Sequence, residues 1–265
     1  MNGVNKTLYI PLYGKALVSN RDIILKDETA EYIWSQESFK LKGKSKSKWL
    51  AFYMAMRAKV FDDWLLLKMK DNPNAVVLHL GCGMDSRINR IKKPAYIWYD
   101  VDFPDVIRTR KNYYTENEFY KMLSADLTTS EWLSALPNGE SAIVLLEGVS
   151  MYLSPLQLRN LFTALGKRFS FVNLFIDCYT EFAAKISKYK NPVNDVGVTT
   201  LYGMDNPLQM QDGTGFRFIS QHDITPPHLI NELQGTEKFI FKKVFAGKFS
   251  KKLYRLYEYE KSTQK

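Results

Sequence analysis

An alternation constrains this chain more than any other feature. Strand-sized, largely apolar segments "AVVLHLG" (75–81), "AYIWYD" (95–100), "SAIVLLEG" (141–148) and "FSFVNLFIDCY" (169–179) are separated by helix-sized pieces such as "FPDVIRTRKNYYTEN" and "SPLQLRNLFTALGKRF". Apolar strands of this kind are buried on both faces, and parallel neighbours need long crossovers, so the pattern predicts a mostly parallel sheet with helices on both faces. In the second helical piece Ser154 suits an N-cap and Pro155 a first helical position.

The flanking regions read differently. Acidic residues open "DETAEYIWSQ" (27–36), as suits a helix N-terminus. "KWLAFYMAMRAKVFDDWLLLKMK" (48–70) predicts a helix, because Phe52, Met56, Val60, Trp64 and Leu67 recur at spacings of three and four; "DNPN" ends it. Residues 180–235 are less regular, with "NPVNDVG", "GMDNPLQMQDGTG" and "TPPHL", and read as an insertion on the substrate side. "KFIFKKVFAGKFSKKLYRLYEYEK" (238–261) predicts two strands around "AGKFS", an antiparallel hairpin at a sheet edge. With no repeat and no linker, a single domain over 1–265 is expected. It divides into an N-terminal helical region (1–70), a core (71–180), an insertion (181–237) and an edge hairpin (238–265).

Lys and Arg total 37 against 28 Asp and Glu, a net charge of +9 that favours anionic partners. Five lysines crowd "KLKGKSKSK" (40–48) and more lie in the 238–261 segment. Cys82 and Cys178 are the only cysteines, which excludes a disulfide framework and a four-cysteine zinc site; no metal is expected. No apolar run reaches the length of a spanning helix, and "MNGVNKTLYIPLYGK" lacks the apolar segment of a secretory signal. A cytoplasmic protein without a membrane partner is the expectation.

"HLGCGMDSR" places Gly81 and Gly83 where a strand must turn tightly near a ligand. A phosphate loop would require a downstream Gly-Lys-Ser/Thr, and the turn continues Met84, Asp85, Ser86, Arg87. A dinucleotide turn would want a third glycine where Ser86 stands, and Asp85 would repel a diphosphate. S-adenosylmethionine fits better: it carries no phosphate and needs acceptors for ribose, adenine amine and ammonium. Asp100 and Asp102 end the second strand, with Asp102 about 20 residues past the glycines, a spacing that brings a carboxylate to a ribose. Asp126 follows a third strand in "SADL", and Glu147 ends the fourth in "LLEGVSMY". Strand-end carboxylates converge on the crevice where open α/β sheets bind ligands. Capping of the next helix is the structural alternative for Asp102, and turn chemistry for Asp126. Glu147, after an apolar run, needs a partner.

"HLGCGMDSR", "YDVDFPDVIRTR", "SADL" and "LLEGVSMYLSP", with "TLYIPLYGKAL" (7–17) and "MRAKVFDDWL" (56–65), resemble in order the motifs of the leucine carboxyl methyltransferase family, which includes bacterial polyketide O-methyltransferases. The resemblance spans roughly residues 7–180. It implies a Rossmann-like class I methyltransferase fold, a seven-stranded sheet under an N-terminal helical lid, and S-adenosylmethionine as cofactor. By position it assigns Gly81 and Gly83 to the cofactor turn, Asp102 to the ribose, Asp126 and Leu127 to the adenine, and Glu147 to the methionyl part. Arg57 matches the family's arginine for the cofactor carboxylate, and Lys15 its early cationic contact. The lysine run 40–48 then belongs to a lid that attracts an acidic substrate.

Methyl transfer is a direct displacement that demands alignment and exclusion of water. A carboxylate acceptor is already ionised at neutral pH, whereas a hydroxyl usually needs a base. The three histidines are poorly placed for that role: His79 lies within a strand, and His222 and His228 fall in the insertion. The expected function is therefore O-methylation of an acidic small molecule or peptide, with Tyr152 orienting the acceptor. The rivals are a nucleic-acid methyltransferase, which would carry an Asp/Asn-Pro-Pro-aromatic tetrad where "EGVSMY" stands, and a non-catalytic cofactor-binding protein.

Overall fold

A computed structural model describes residues 8–36, 41, 43–92, 96–137, 140–190 and 201–262. Among them, seven strands form one sheet: β1 (Val76–Leu80), β2 (Trp98–Asp102), β3 (Tyr120–Ser124), β4 (Ser141–Leu146), β5 (Phe171–Tyr179), β6 (Arg217–His222) and β7 (Tyr254–Ser262). The helices are α1 (Tyr9–Ser19), α2 (Glu28–Gln36), α3 (Lys48–Asp71), α4 (Arg87–Ile91), α5 (Pro104–Arg110), α6 (Pro155–Arg168), α7 (Glu181–Lys190), α8 (Pro227–Glu232), α9 (Gly235–Ile240) and α10 (Lys248–Leu253). The sheet order is β3-β2-β1-β4-β5-β7-β6. The first five strands are parallel, and β7 runs antiparallel to both β5 and β6. Strand order reverses between β1 and β4, which opens a crevice at their carboxyl ends.

Alternation along β1 divides the core. Val77 faces a cluster with Phe52, Phe61, Trp64 and Phe175, while Leu78 and Leu80 face one with Leu158, Phe162 and Leu165. Thus α3 covers one face and α6 the other. Ser154 Oγ accepts from the Gln157 N–H and Gln157 Oε1 from the Ser154 N–H, so a capping box starts α6. Helix α3 departs from the expected single stripe: Ala51 through Ala58 are all buried and Leu67 is exposed. The sheet takes one side of α3 and α1 packs on another, so an amphipathic pattern is not needed along its first half.

The expected hairpin at 238–261 is corrected. An antiparallel edge pair exists, but its strands are β6 and β7, and residues 235–253 are helical: α9, a π-helical turn (Phe241–Phe245) and α10. Strand-forming residues are overridden there by packing, since Phe241 meets Phe52 and Tyr53, and Phe245 stacks on Trp49 at 5.1 Å. The 181–237 stretch is more regular than expected, supplying α7, α8 and the edge strand β6. Strand β2 lies later than 95–100, which makes Asp102 its last residue and sets Asp100 inside the sheet. In the lysine run, residues 40 and 42 lie outside the described residues, as do 191–200 within "NPVNDVG" and beyond; Gly43–Lys46 forms a 3-10 turn.

Phe175 is fully buried between Phe61 (4.5 Å between ring centroids) and Trp64 (4.9 Å). Denaturant unfolding of Phe175→Ala should show a loss of about 3–5 kcal/mol, while Leu156→Ala, at an exposed site on α6, stays within about 0.5 kcal/mol.

Candidate active site

The turn after β1 is built for backbone. Gly81 and Gly83 have φ of +66° and +53°, where side chains are strained. A Cβ on Gly81 would lie 2.2 Å from Val149 Cγ2, so the segment after β4 leaves no room for one. Asp102 ties the turn to β2: Oδ2 accepts from the Gly83 N–H and Oδ1 from the Phe103 N–H, each at 2.7 Å. Burial pushes this carboxyl above its usual range despite both bonds. Asp102 is thus a brace behind the turn rather than a side-chain cap of α5, whose N-cap is Phe103.

A cavity of about 270 Å³ opens against the turn. Lys15 (α1), Arg57 (α3), His79, Asp85 and Glu147 supply its charged and polar lining. Leu50, Met54, Met151, Tyr152, Tyr179, Ile186 and Tyr254 supply an apolar and aromatic lining. Tyr179 and Tyr254 are paired across β5 and β7, and the Tyr254 hydroxyl donates to that of Tyr179 at 3.3 Å.

The charged groups form one buried network. Arg57 Nε donates to Glu147 Oε1 (3.0 Å) and its Nη1 to Asp177 Oδ2 (2.7 Å). The other Glu147 oxygen accepts from Arg87 Nη2, and Arg87 Nε donates to Asp62 at 2.6 Å. Asp177 Oδ1 also accepts from the Gly148 N–H at 2.6 Å. Lys15 Nζ lies 3.1 Å from Asp85, which also meets Arg90 at 2.9 Å. Burial pushes the Glu147 carboxyl up, but Arg87 and Arg57 outweigh it and hold the group below its usual range. Arg90, Lys15 and Arg87 do the same, more strongly, for Asp85. Asp177 is the exception: burial wins over Arg57 and raises it.

Of the residues singled out in the sequence, Lys15, Arg57, Gly81, Gly83, Glu147 and Tyr152 line the one cavity. Asp102 stands behind it through Gly83. Asp126 is exposed, and its Oδ1 accepts from the Thr128 N–H at 2.8 Å, the turn alternative realised. Leu127 is buried with Trp132 and Leu133 in the core under α6. The structure does not bring those last two to the cavity. His79 lies in β1 with both ring nitrogens occupied, Nδ1 at 3.1 Å from Asp100 and Nε2 at 3.2 Å from Arg87 Nη1. His222 pairs with Glu258 at 2.8 Å on the sheet edge. Sequence reasoning missed Arg87 and Asp177; an aspartate inside the apolar run "FVNLFIDCY" was the available signal for the second.

Sheet order, antiparallel β7 and the turn after β1 define the class I methyltransferase fold. Along 94% of this chain it is similar to a crystal structure of a Thermobifida fusca protein described as a methyltransferase, with a TM-score of 0.59, 13% identity and 94% of that chain covered. The chain is 28% identical over 243 residues to the tetracenomycin polyketide synthesis O-methyltransferase of Streptomyces glaucescens, covering 91% of this chain and 90% of that protein. It is 24% identical over 234 residues to an S-adenosyl-L-methionine-dependent methyltransferase of Gibberella zeae, covering 80% of this chain and 78% of the relative. Residues 8–166 match the profile of the leucine carboxyl methyltransferase family, so the chain belongs to that family of S-adenosylmethionine-dependent methyltransferases.

Gly81→Ala should lower stability by about 2–4 kcal/mol through overpacking and positive φ, and Val149→Ala in the same chain should restore part of it in thermal melts. Asp100 offers a pH test. Burial raises its carboxyl, but Arg110 and His79 prevail and hold it at about 2. A folded value below the unfolded one of about 3.9 gives stability that is full above that pH and lost as pH falls towards 2. Asp100→Asn should therefore flatten the fall in stability between about pH 4 and pH 2, followed by urea unfolding across that range.

Proposed function

We propose that the cavity binds S-adenosylmethionine at its charged lining and transfers the methyl group to an oxygen of an acidic small molecule or peptide, a carboxylate first of all. The observation that carries this reading is a lining that alternates cation and anion beside an apolar wall, in which the histidine, His79, has both ring nitrogens held.

The residues fit the cofactor. Its amino-acid head is a zwitterion, and the lining sets Arg57 and Lys15 beside Glu147 and Asp85. Glu147, kept ionised by Arg57 and Arg87, suits an ammonium, and the Arg57 guanidinium suits a carboxylate. The side-chain-free turn at Gly81 and Gly83 lets backbone approach a ligand closely. Asp102, which braces that turn from behind with one bond to each oxygen, keeps the second lone pair of each for ribose hydroxyls. Asp126 and Leu127 follow β3 at the crevice end of the sheet, outside the cavity lining, and are the residues proposed for the adenine. Bound there, the cofactor supplies an electrophilic methyl on a sulfonium.

The chain's own part is orientation and exclusion of water. Tyr152, half-buried in the lining, orients the acceptor, and Met54, Met151 and Tyr179 wall it from solvent. His79 cannot serve as a base with both nitrogens held, Lys15 is committed to Asp85, and burial pushes the Tyr254 hydroxyl far above neutrality. An acceptor that arrives ionised needs none of them. The O-methyltransferase activity of the Streptomyces relative supports an oxygen acceptor.

Calorimetry should show binding of S-adenosylmethionine and none of NAD; the reverse would overturn the reading. Arg57→Lys, which keeps the charge but not the fork, should weaken cofactor binding about tenfold or more. With a carboxylic acid acceptor, kcat should stay level from about pH 6 to pH 9 because nothing essential titrates there. A steep rise with pH over that interval would instead indicate a hydroxyl acceptor with a general base.

A further inference from the structure

The helical segment 235–253, "GTEKFIFKKVFAGKFSKKL", contains six lysines and one acid, Glu237. That acid is already matched by cations from other elements, Arg21 at 2.5 Å and Lys48 at 2.9 Å. Phe241 and Phe245 turn inward onto α3, and the Tyr53 hydroxyl donates to the Phe245 carbonyl, so the segment is anchored. Its outward side is unusual. Phe239 and Val244 are 64% and 52% exposed, and Ile240 and Phe249 are exposed as well. Lys242, Lys243, Lys248, Lys251 and Lys252 are all exposed between and after them.

We propose that this surface docks the enzyme on an anionic lipid surface, with the apolar side chains entering the interface and the lysines meeting the headgroups. Large apolar side chains held out among lysines are the composition of an interfacial helix. Each lysine near an anionic leaflet adds to the attraction, and the segment's six lysines are not offset by its one acid, since Glu237 pairs with Arg21 and Lys48. Other anionic partners match less well. Of the four exposed apolar side chains, Ile240 and Val244 offer no ring for a base to stack on, and Phe239 and Phe249 lie on separate helices. The segment has no Arg, Trp or Tyr, the residues that anchor protein interfaces, while lysine is depleted at them. The surface is also continuous with the cavity: α10 packs on α7, and Leu253 at its end lines the cavity with Ile186 of α7, itself exposed together with Phe182. Docking there brings the cavity mouth to the lipid. The chain has no helix long and apolar enough to cross a membrane among the described residues, so this is attachment in the plane of the surface.

Co-sedimentation with vesicles of phosphatidylcholine alone, and of phosphatidylcholine mixed with phosphatidylserine, tests the proposal on the full chain. The protein should sediment with the mixed vesicles at low salt, lose most of that binding at high salt, and ignore phosphatidylcholine alone. Lys242→Glu with Lys243→Glu should weaken vesicle binding by about tenfold or more. Phe239→Ser with Val244→Ser should weaken it as well while leaving its salt dependence in place. Unchanged cofactor affinity and melting temperature in both variants show that docking, not folding or the cofactor site, has been altered. Lys242→Gln with Lys243→Gln serves if the reversal unfolds the chain. No binding to mixed vesicles, or binding that neither pair of substitutions reduces, overturns the proposal. So does preference for duplex DNA or an acidic protein over vesicles that persists in Phe239→Ser/Val244→Ser.

Discussion

The ion pair between Arg57 and Glu147 is the contact on which the rest of the site depends. It joins the middle of α3 to the residue after β4, and each partner carries a second buried ion pair, Asp177 on β5 for Arg57 and Arg87 on α4 for Glu147. The chain of charges continues through Asp62, Arg90 and Asp27 to the segment before α2. Removing one member of a buried pair strands its partner and typically costs about 3–5 kcal/mol. The N-terminal helices are consequently held to the sheet by charge as well as by the Phe52, Phe61 and Trp64 packing.

This arrangement explains why apolar strands can end in carboxylates. Glu147 and Asp177 are nearly or wholly inaccessible, and either alone would be neutralised by burial. Arg57 and Arg87 change the balance for Glu147, which keeps its charge in the cavity lining. The glycine turn serves the same crevice from the β1 side, with Asp102 fixing its backbone. A polar, charge-matched lining therefore stands beside an apolar wall drawn from α3, the end of β5 and α7. That contrast suits a cofactor with a zwitterionic head.

Much of this was legible in the sequence. The apolar runs, the Ser154-Pro155 helix start and the two glycines each follow from local rules, and they take the form expected except that β2 lies later than 95–100. Arg57 and Glu147 were singled out separately, yet nothing local says that they touch, 90 residues apart. The segment 238–253 misled because its Phe, Ile and Val content favours strands, while Phe241 and Phe245, four apart, were taken up by Trp49, Phe52 and Tyr53 on α3. Propensity is a weak term when two rings can be buried against a neighbouring helix. Asp126 shows the reverse: its turn bonding is local and was foreseeable, and the fold leaves it exposed at the surface.

By itself the sequence determined the layered α/β plan and the turn after β1, because periodicity and the need for positive φ are properties of neighbouring residues. Only the tertiary structure decided which charges pair, and hence which carboxylates stay ionised, since burial and Coulomb energy depend on groups brought together from α1, α3, α4, β4 and β5. It also decided that the lysine- and phenylalanine-rich stretch before β7 is a helical surface rather than a sheet edge, because the choice rested on what α3 offered it to pack against.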